Sequence, residues 1–348
     1  MQIFRVLEPG AYTTVQDSGR YGYQQFGVPP TGALDSFAYQ AANVLTGNCE
    51  DAAVLEMTFL GTRLEVLADA EISITGSPVQ ILINDQPADN WSSLKVRPGD
   101  IIKTGMAEIG CRAYLAVTGG IDVPLVMGSR SCYSGAKIGG HEGRPLVKGD
   151  ILLRGKKDPC SRFRRLQEKF IPEYSSEIVL RAIPGPQDDF FDDQAMSVFF
   201  ESEFTVTPQA NRMGYRLDGP GIFPCENMPK SIISEPNLKG SVQIPEDGQP
   251  IILLGEQTVG GYTKIVTVIS ADISKVAQAV PGDKIRFEKV SLETAHELLR
   301  EQAELIRQIK EEMLSGKKTV SSDKASENYF SHNPELFLEK IYNHLLQI

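Results

Sequence analysis

Apolar and polar residues alternate in short runs through most of the first 290 residues, for example at 71–75, Val79–Ile83, Ile151–Leu153 and 251–254. A period of two sets one face of each run against a core, which predicts β-strands. Gly, Pro, Asn and Asp separate the runs and predict tight turns between them. The opening MQIFRVLEPG reads as a strand running into a turn. At 33–45 the period lengthens: Leu34, Phe37, Ala38, Ala41 and Leu45 share one helical face, and Gly47 ends the helix. Residues 292–314 form a long run of strong helix formers with helical periodicity. Beyond it, 315–328 is polar, and 333–348 has the pattern of a last amphipathic helix.

The pattern also echoes itself. Glu56 is followed by Gly61 and Gly76, and Glu235 by Gly240 and Gly255, at identical intervals of five and fifteen residues. Each set leads to a Pro-Gly-Asp turn, at 98–100 and 281–283, and then to a short apolar strand. Upstream of each stands an Arg-x-Gly-Tyr tetrad, Arg20 to Tyr23 and Arg212 to Tyr215. These correspondences predict an internal duplication: a mainly β chain of two similar barrel-like units with a binding surface between them. The basic, helix-compatible stretch 155–174 interrupts the β pattern and serves as linker or bracing helix. The expected units are 1–172 (first domain with linker), 173–290 (second domain) and a helical tail, 291–348.

Composition narrows the functional classes. A net charge of −10 argues against a nucleic-acid or anionic-membrane partner. The N-terminus has no signal-peptide pattern and no run of 18 apolar residues occurs, so a cytoplasmic location is expected. Cys49, Cys111, Cys132, Cys160 and Cys225 are scattered and odd in number, as buried thiols of a reducing compartment would be. The four histidines are equally dispersed, so no metal site is expected. Neither a P-loop nor a dinucleotide fingerprint nor a G-x-S-x-G elbow is present.

Four glycine-rich segments remain as candidate chemistry: 16–35, 119–146, 184–217 with its Pro-Gly-Pro-Gln and Asn-Arg-Met-Gly-Tyr pieces, and 255–262. Glycine lets backbone N–H groups approach a ligand, while Arg, Gln and Tyr supply directed hydrogen bonds. Such a set suits a planar amide, ureido or carboxylate ligand. Each residue also has a structural reading. Glycines serve turns and bulges, Arg20 and Arg212 can brace loops, and Asp17 and Asp35 can cap turns or a helix. Glu56 and Glu235 are either paired pocket carboxylates or ion-pair partners of Arg20 and Arg212.

In this order, QDSGRYGYQQFGVPPTGALD, the GSRS and GGHEGRPLVKGD stretches, IPGPQ, NRMGYRL, and GEQTVGGYTKI with VPGDKIRF resemble one family over residues 1–290. That family is described variously as allophanate hydrolase subunit 2, biotin-dependent carboxyltransferase or the C-type subunit of 5-oxoprolinase. The resemblance implies two cyclophilin-like β-barrel domains and three functional settings. In the first, the chain joins a smaller homologous subunit, the B type, and a barrel-type subunit, the A type, to open 5-oxoproline to glutamate with ATP. In the second it is the carboxyltransferase half of a biotin-dependent urea carboxylase. In the third it is a non-enzymatic antagonist of a sporulation kinase inhibitor. No biotinyl segment with Met-Lys-Met is present, which favours the first. By match to the family motifs, Arg212, Tyr215, Gln257 and Tyr262 are the candidate catalytic donors around a small-molecule amide. Arg20, Arg130, Gly260, Gly261 and Lys264 are the candidate substrate-binding residues. Such donors would act by polarising a carbonyl and stabilising the oxyanion that develops.

Overall fold

The computed structural model describes residues 1–157 and 163–315. The expected helix at 333–348, part of the linker and Cys160 lie outside them. In the first half the strands are β1 (Gln2–Glu8), β2 (Tyr12–Gln16), β3 (Val54–Thr58), β4 (Arg63–Val66), β5 (Ala70–Gly76), β6 (Val79–Ile83), β7 (Gln86–Ala88), β8 (Ser93–Val96), β9 (Ile101–Ala107), β10 (Arg112–Val117) and β11 (Ile151–Leu153). The second half contains β12 (Glu177–Pro184), β13 (Phe204–Ala210), β14 (Gly214–Asp218), β15 (Ser231–Pro236), β16 (Ser241–Ile244), β17 (Ile251–Leu253), β18 (Val259–Val268) and β19 (Lys284–Lys289).

The first half folds as two antiparallel sheets, ordered β11-β1-β4-β9-β6-β7 and β2-β3-β10-β5-β8. Inward residues of both sheets, among them Phe4, Leu64 and Ile102 from one and Leu55, Ile74 and Leu115 from the other, share one core. In the second half β12 pairs with β19, β19 with β13, β13 with β14, β14 with β17, β17 with β16, β16 with β18, and β18 again with β12. Leu180, Phe204, Leu217, Val242, Ile265 and Phe287 pack within this circuit. β15 pairs only with β18 and forms the edge, and its Ile233 is 94% exposed.

Helix α1 (Ser36–Leu45) forms where the apolar spacing predicts it. Asp35 caps it, its Oδ1 accepting from Ala38 N at 3.0 Å, which satisfies one of the unpaired N–H groups of the first turn. Helices α2 (Asp193–Glu201) and α3 (Ile273–Gln278) follow, and then α4 (Leu292–Ser315). α4 sets Ile306 and Ile309 into the cluster formed by Phe37, Ala41 and Trp91. Its Lys310 pairs with Glu50 at 2.7 Å. No helix among the described residues is long and apolar enough to cross a membrane.

Three sequence expectations change here. The described part of the linker is largely extended, with one 3-10 turn at Glu168–Phe170. Its backbone bonds to the first half instead, through Ser93 N to Arg164 O at 2.7 Å and Leu166 N to Trp91 O at 2.9 Å. Tertiary pairing overrides local helix propensity. The Pro-Gly-Asp turns do share one geometry: Asp100 accepts from Arg97 N, and Asp283 from Val280 N. A third turn, Val147-Lys148-Gly149-Asp150, repeats it with Asp150 accepting from Val147 N, so the motif by itself does not mark a repeat. Finally, Cys111 and Cys132 are buried, whereas Cys49 is exposed.

Candidate functional site

The predicted site residues fall into three places. Arg20, fully buried, braces a loop: Nε donates to Val126 O and Nη2 to Ser131 O, both at 2.9 Å. Arg130 lies nearby, with its N–H held by Asp17 and its guanidinium 3.3 Å from Asp122. Neither approaches the other candidates through any of these bonds.

Arg212 and Tyr215 belong to a buried ionic cluster that joins the two halves. Arg212 donates from Nη1 to Glu56, from Nε to Glu256 at 2.6 Å and from Nη2 to Gly32 O at 2.7 Å. The other oxygen of Glu56 accepts from Leu34 N at 3.0 Å and Tyr114 OH at 2.9 Å. Arg112 stands 3.7 Å from Glu56 and donates to Tyr215 OH at 2.7 Å and to Ala277 O. Gln278 completes the join, accepting from Arg112 N at 2.9 Å and donating to Asp35 at 2.8 Å. Burial alone would push the Glu56 carboxyl up, but Arg212 and Arg112 outweigh it and hold it below the usual carboxylate range. Burial dominates at Tyr215, whose phenol is pushed well up. Two carboxylates face two guanidiniums here, all of them buried, and of these groups Arg112 Nε lies beyond hydrogen-bond distance, 3.7 Å from Glu56. Its geometry suits docking of the halves rather than turnover.

The third place is a polar cluster at β15 and β18, reached by residues from both halves. Lys264 Nζ lies 2.6 Å from Glu235 Oε1, and Gln187 Nε2 donates to the same oxygen at 2.8 Å. Lys264 is 2% exposed and Glu235 38%, so a buried cation is presented beside a carboxylate that solvent can reach. Gln187 arrives because Gly185 permits close approach: a Cβ there would collide with Lys264 O, and Gly185 N donates to Ile265 O. The Gln187 side-chain carbonyl oxygen then accepts from Lys264 N at 3.1 Å. Lys264 and Gln187 together hold the Glu235 carboxyl below its ordinary range, so it is an ionised acceptor at neutral pH. Gln243 and Asn237 are buried beside them, with Gln243 Nε2 3.3 Å from Asn237 Oδ1. From the first half, Gln24 Nε2 reaches Asn237 O at 3.4 Å, and Thr31 N donates to Gly255 O at 2.8 Å.

Gln257 and Tyr262 belong with this third place. Glu256 N is held by Arg212 O and Thr258 O accepts from Asn237 N, so Gln257 stands between the ionic cluster and the polar one. Tyr262, 41% exposed, lies on β18 between Gly261 and the Lys264 segment. The four candidate catalytic residues therefore do not converge as one set: Arg212 and Tyr215 are spent on the interior, while Gln257, Tyr262, Gly260, Gly261 and Lys264 share β18 and the turn before it. The sequence singles out Glu235, Gln187 and Lys264 one by one but not their pairing, and it passes over Arg112, Asn237, Gln243 and Gln278. No spacing flags those four; Arg112 and Gln278 pair across more than 160 residues, and Asn237 and Gln243 meet across a turn that no motif marks.

A separate cleft of about 710 Å³ opens where α1, the 169–175 segment, α3 and α4 meet, lined by Asp35, Tyr174, Ile178, Gln278, Leu298 and Leu305. Asp35 there already accepts from Ala38, Gln278 and Tyr174. The Lys264 cluster, with an accessible carboxylate and a neighbouring buried cation, is the better candidate for chemistry.

The comparisons with known proteins bear on this arrangement. Residues 26–289 match the family model for the carboxyltransferase domain, subdomain A and B. The chain is 36% identical to the C-type subunit of 5-oxoprolinase from Escherichia coli (strain K12), over 88% of this chain and 97% of that one. It is 32% identical to urea amidolyase of Lachancea kluyveri, over 92% of this chain but 18% of that much longer protein. Among solved structures, Kluyveromyces lactis urea carboxylase superposes with a TM-score of 0.83 at 31% identity, covering 95% of this chain and 31% of that one. The extent of these matches, together with the mainly β architecture, shows that the chain belongs to the family of carboxyltransferase domains, subdomain A and B.

Proposed function

We propose that the chain is one of three components of an ATP-dependent 5-oxoprolinase. It would act with a smaller homologous subunit (B type) and a barrel-type subunit (A type) to convert 5-oxoproline, ATP and water to L-glutamate, ADP and phosphate. One observation carries this reading: the chain aligns nearly end to end with the C-type subunit of 5-oxoprolinase, whereas it matches only a small part of the urea amidolyases. The polar cluster supports it chemically. Lys264 supplies a preorganised, largely water-excluded cation for the lactam oxygen as negative charge develops there. Glu235, fixed by Lys264 and Gln187, offers an acceptor to the lactam N–H. Gln257, Tyr262, Gly260 and Gly261 form the approach, and Arg212 and Tyr215 hold the two halves in register behind it. The cation of the cluster is already neutralised by Glu235, a setting that fits a neutral amide and not a triphosphate. ATP is therefore a substrate of the complex, and no step is routed from it through these residues. We also read 1–172 and 173–290 as barrel-like units of common descent. The circuit of pairings in the second half supports the barrel-like reading.

The likeness to urea carboxylase favours a second reading, a carboxyltransferase half that receives carboxyl from biotin carried on another polypeptide. Reconstitution separates the two. The purified chain alone is expected to show no ATP-dependent release of glutamate from 5-oxoproline, and addition of the two other subunits to restore it. Robust turnover by the lone chain would contradict the proposal. Transfer of carboxyl from a biotinylated carrier to urea would select the second reading.

A further inference from the structure

We infer that Asn237 reads the edge of a cis-amide, a specificity role that rests on the Lys264 cluster being the substrate site. The Asn237 side chain is 2% exposed, and its polar groups are accounted for except one. Its N–H donates to Thr258 O, its carbonyl accepts from Gln24, and Oδ1 accepts from Gln243. Nδ2 alone is buried without a partner. A buried donor left unpaired is costly, and such groups in native proteins mark places where an acceptor arrives from outside.

That donor packs against Gly260. A Cβ added at Gly260 would lie 2.8 Å from Asn237 Nδ2 and 2.5 Å from Gln243 Nε2. Gly260 is also the Cα partner of Glu235 across the β15–β18 ladder. Asn237 Nδ2, a donor, therefore lies against Gly260, and Glu235, with one oxygen taken by neither Lys264 nor Gln187, is the residue that pairs with this glycine across the ladder. The complement is a planar group with a carbonyl and an N–H on the same edge. Lactams and ureas present both on one edge, whereas an open-chain secondary amide is trans and presents them on opposite edges. The site thus selects cis-amides by geometry, whatever reaction follows.

The test measures binding of 5-oxoproline, 2-pyrrolidinone, urea and N-methylacetamide to the assembled complex by titration calorimetry. The wild type is expected to bind cis-amide or ureido probes and to discriminate against N-methylacetamide. Asn237→Asp replaces the donor by an acceptor of the same shape. It should weaken those probes roughly ten- to hundredfold, in a variant shown by its cooperative melting to be folded. Unaltered affinity in Asn237→Asp overturns the inference, as does a wild type that binds no cis-amide or takes N-methylacetamide equally well. Should Asn237→Asp not fold, Gly260→Ala displaces the same two amides and must show the same loss, and normal binding by it counts against the role. Failure of the oxoprolinase reading looks different. If the complex opens no 5-oxoproline yet binds urea in an Asn237-dependent way, the reaction is discarded and the recognition stands.

Discussion

The ionic cluster around Arg212 and the polar cluster around Lys264 use the same residue types to opposite ends. In the first, every charged group is enclosed and answered by another: Glu56 and Glu256 face Arg212, with Arg112 beside them. In the second, a buried lysine is answered by a carboxylate that is itself partly open to water, and one neighbouring amide donor is left unanswered. Enclosure distinguishes scaffold from site here: the first set of charges is closed to solvent, and the second opens to it through Glu235. An arginine in a family motif can be indispensable because it joins two halves of a fold.

Mutation can break this comparison. Arg212→Ala should have the largest effect, because it leaves two buried carboxylates short of a partner. A loss of about 3–5 kcal/mol is expected from chemical denaturation. A variant that keeps its stability but loses turnover in the assembled complex would move Arg212 into the site. Lys264→Met conserves most of the buried volume and leaves Glu235 to solvent. Turnover of the complex should fall roughly a hundred- to thousandfold, as for loss of one oxyanion donor, with little change in melting temperature. Equal turnover to wild type would end the claim of the Lys264 cluster to be the reaction site.

A smaller, pH-dependent effect sharpens the contrast. The folded Glu56 carboxyl titrates below its ordinary value of 4.5, so its contribution is complete above that pH and is lost as pH falls through the lower folded value. The gap in melting temperature between wild type and Glu56→Gln should hold from neutral pH to about pH 5 and close on further acidification. A gap that does not narrow at all on acidification below that range would show that the side chain acts through packing, not charge.

Much of the scaffold is legible in the sequence, since alternation is a local signal. The runs at Val79–Ile83 and Ile151–Leu153 are strands with those bounds, and α1 and α4 begin and end within a few residues of their patterns. The site is legible only in part. An ion pair of Glu56 with Arg212 is one of two readings open to the sequence, and the contact across 156 residues selects it. Glu235 stands out in the repeat, but its partner is Lys264 and not an arginine. Asn237 carries no spacing signal, because what marks it is a missing bond, visible only once its neighbours are placed. The linker misleads for the opposite reason: its local helix propensity is real, but backbone pairing with Trp91 and Ser93 outweighs it.

The position of Arg112 has a consequence in time. Glu56 is synthesised long before Arg212, so a first half that folds as it emerges sets that carboxylate in its sheet before its main partner exists. Arg112 belongs to the same half, on the strand that pairs with the one carrying Glu56, and stands 3.7 Å away from it. The early half therefore carries its own counter-charge. In the finished fold Arg112 Nη1 donates to Tyr215 and the Ala277 carbonyl of the second half, while Arg212 takes the closer place on Glu56. The arginine that can answer Glu56 on the nascent chain is the one that joins the two halves in the finished one.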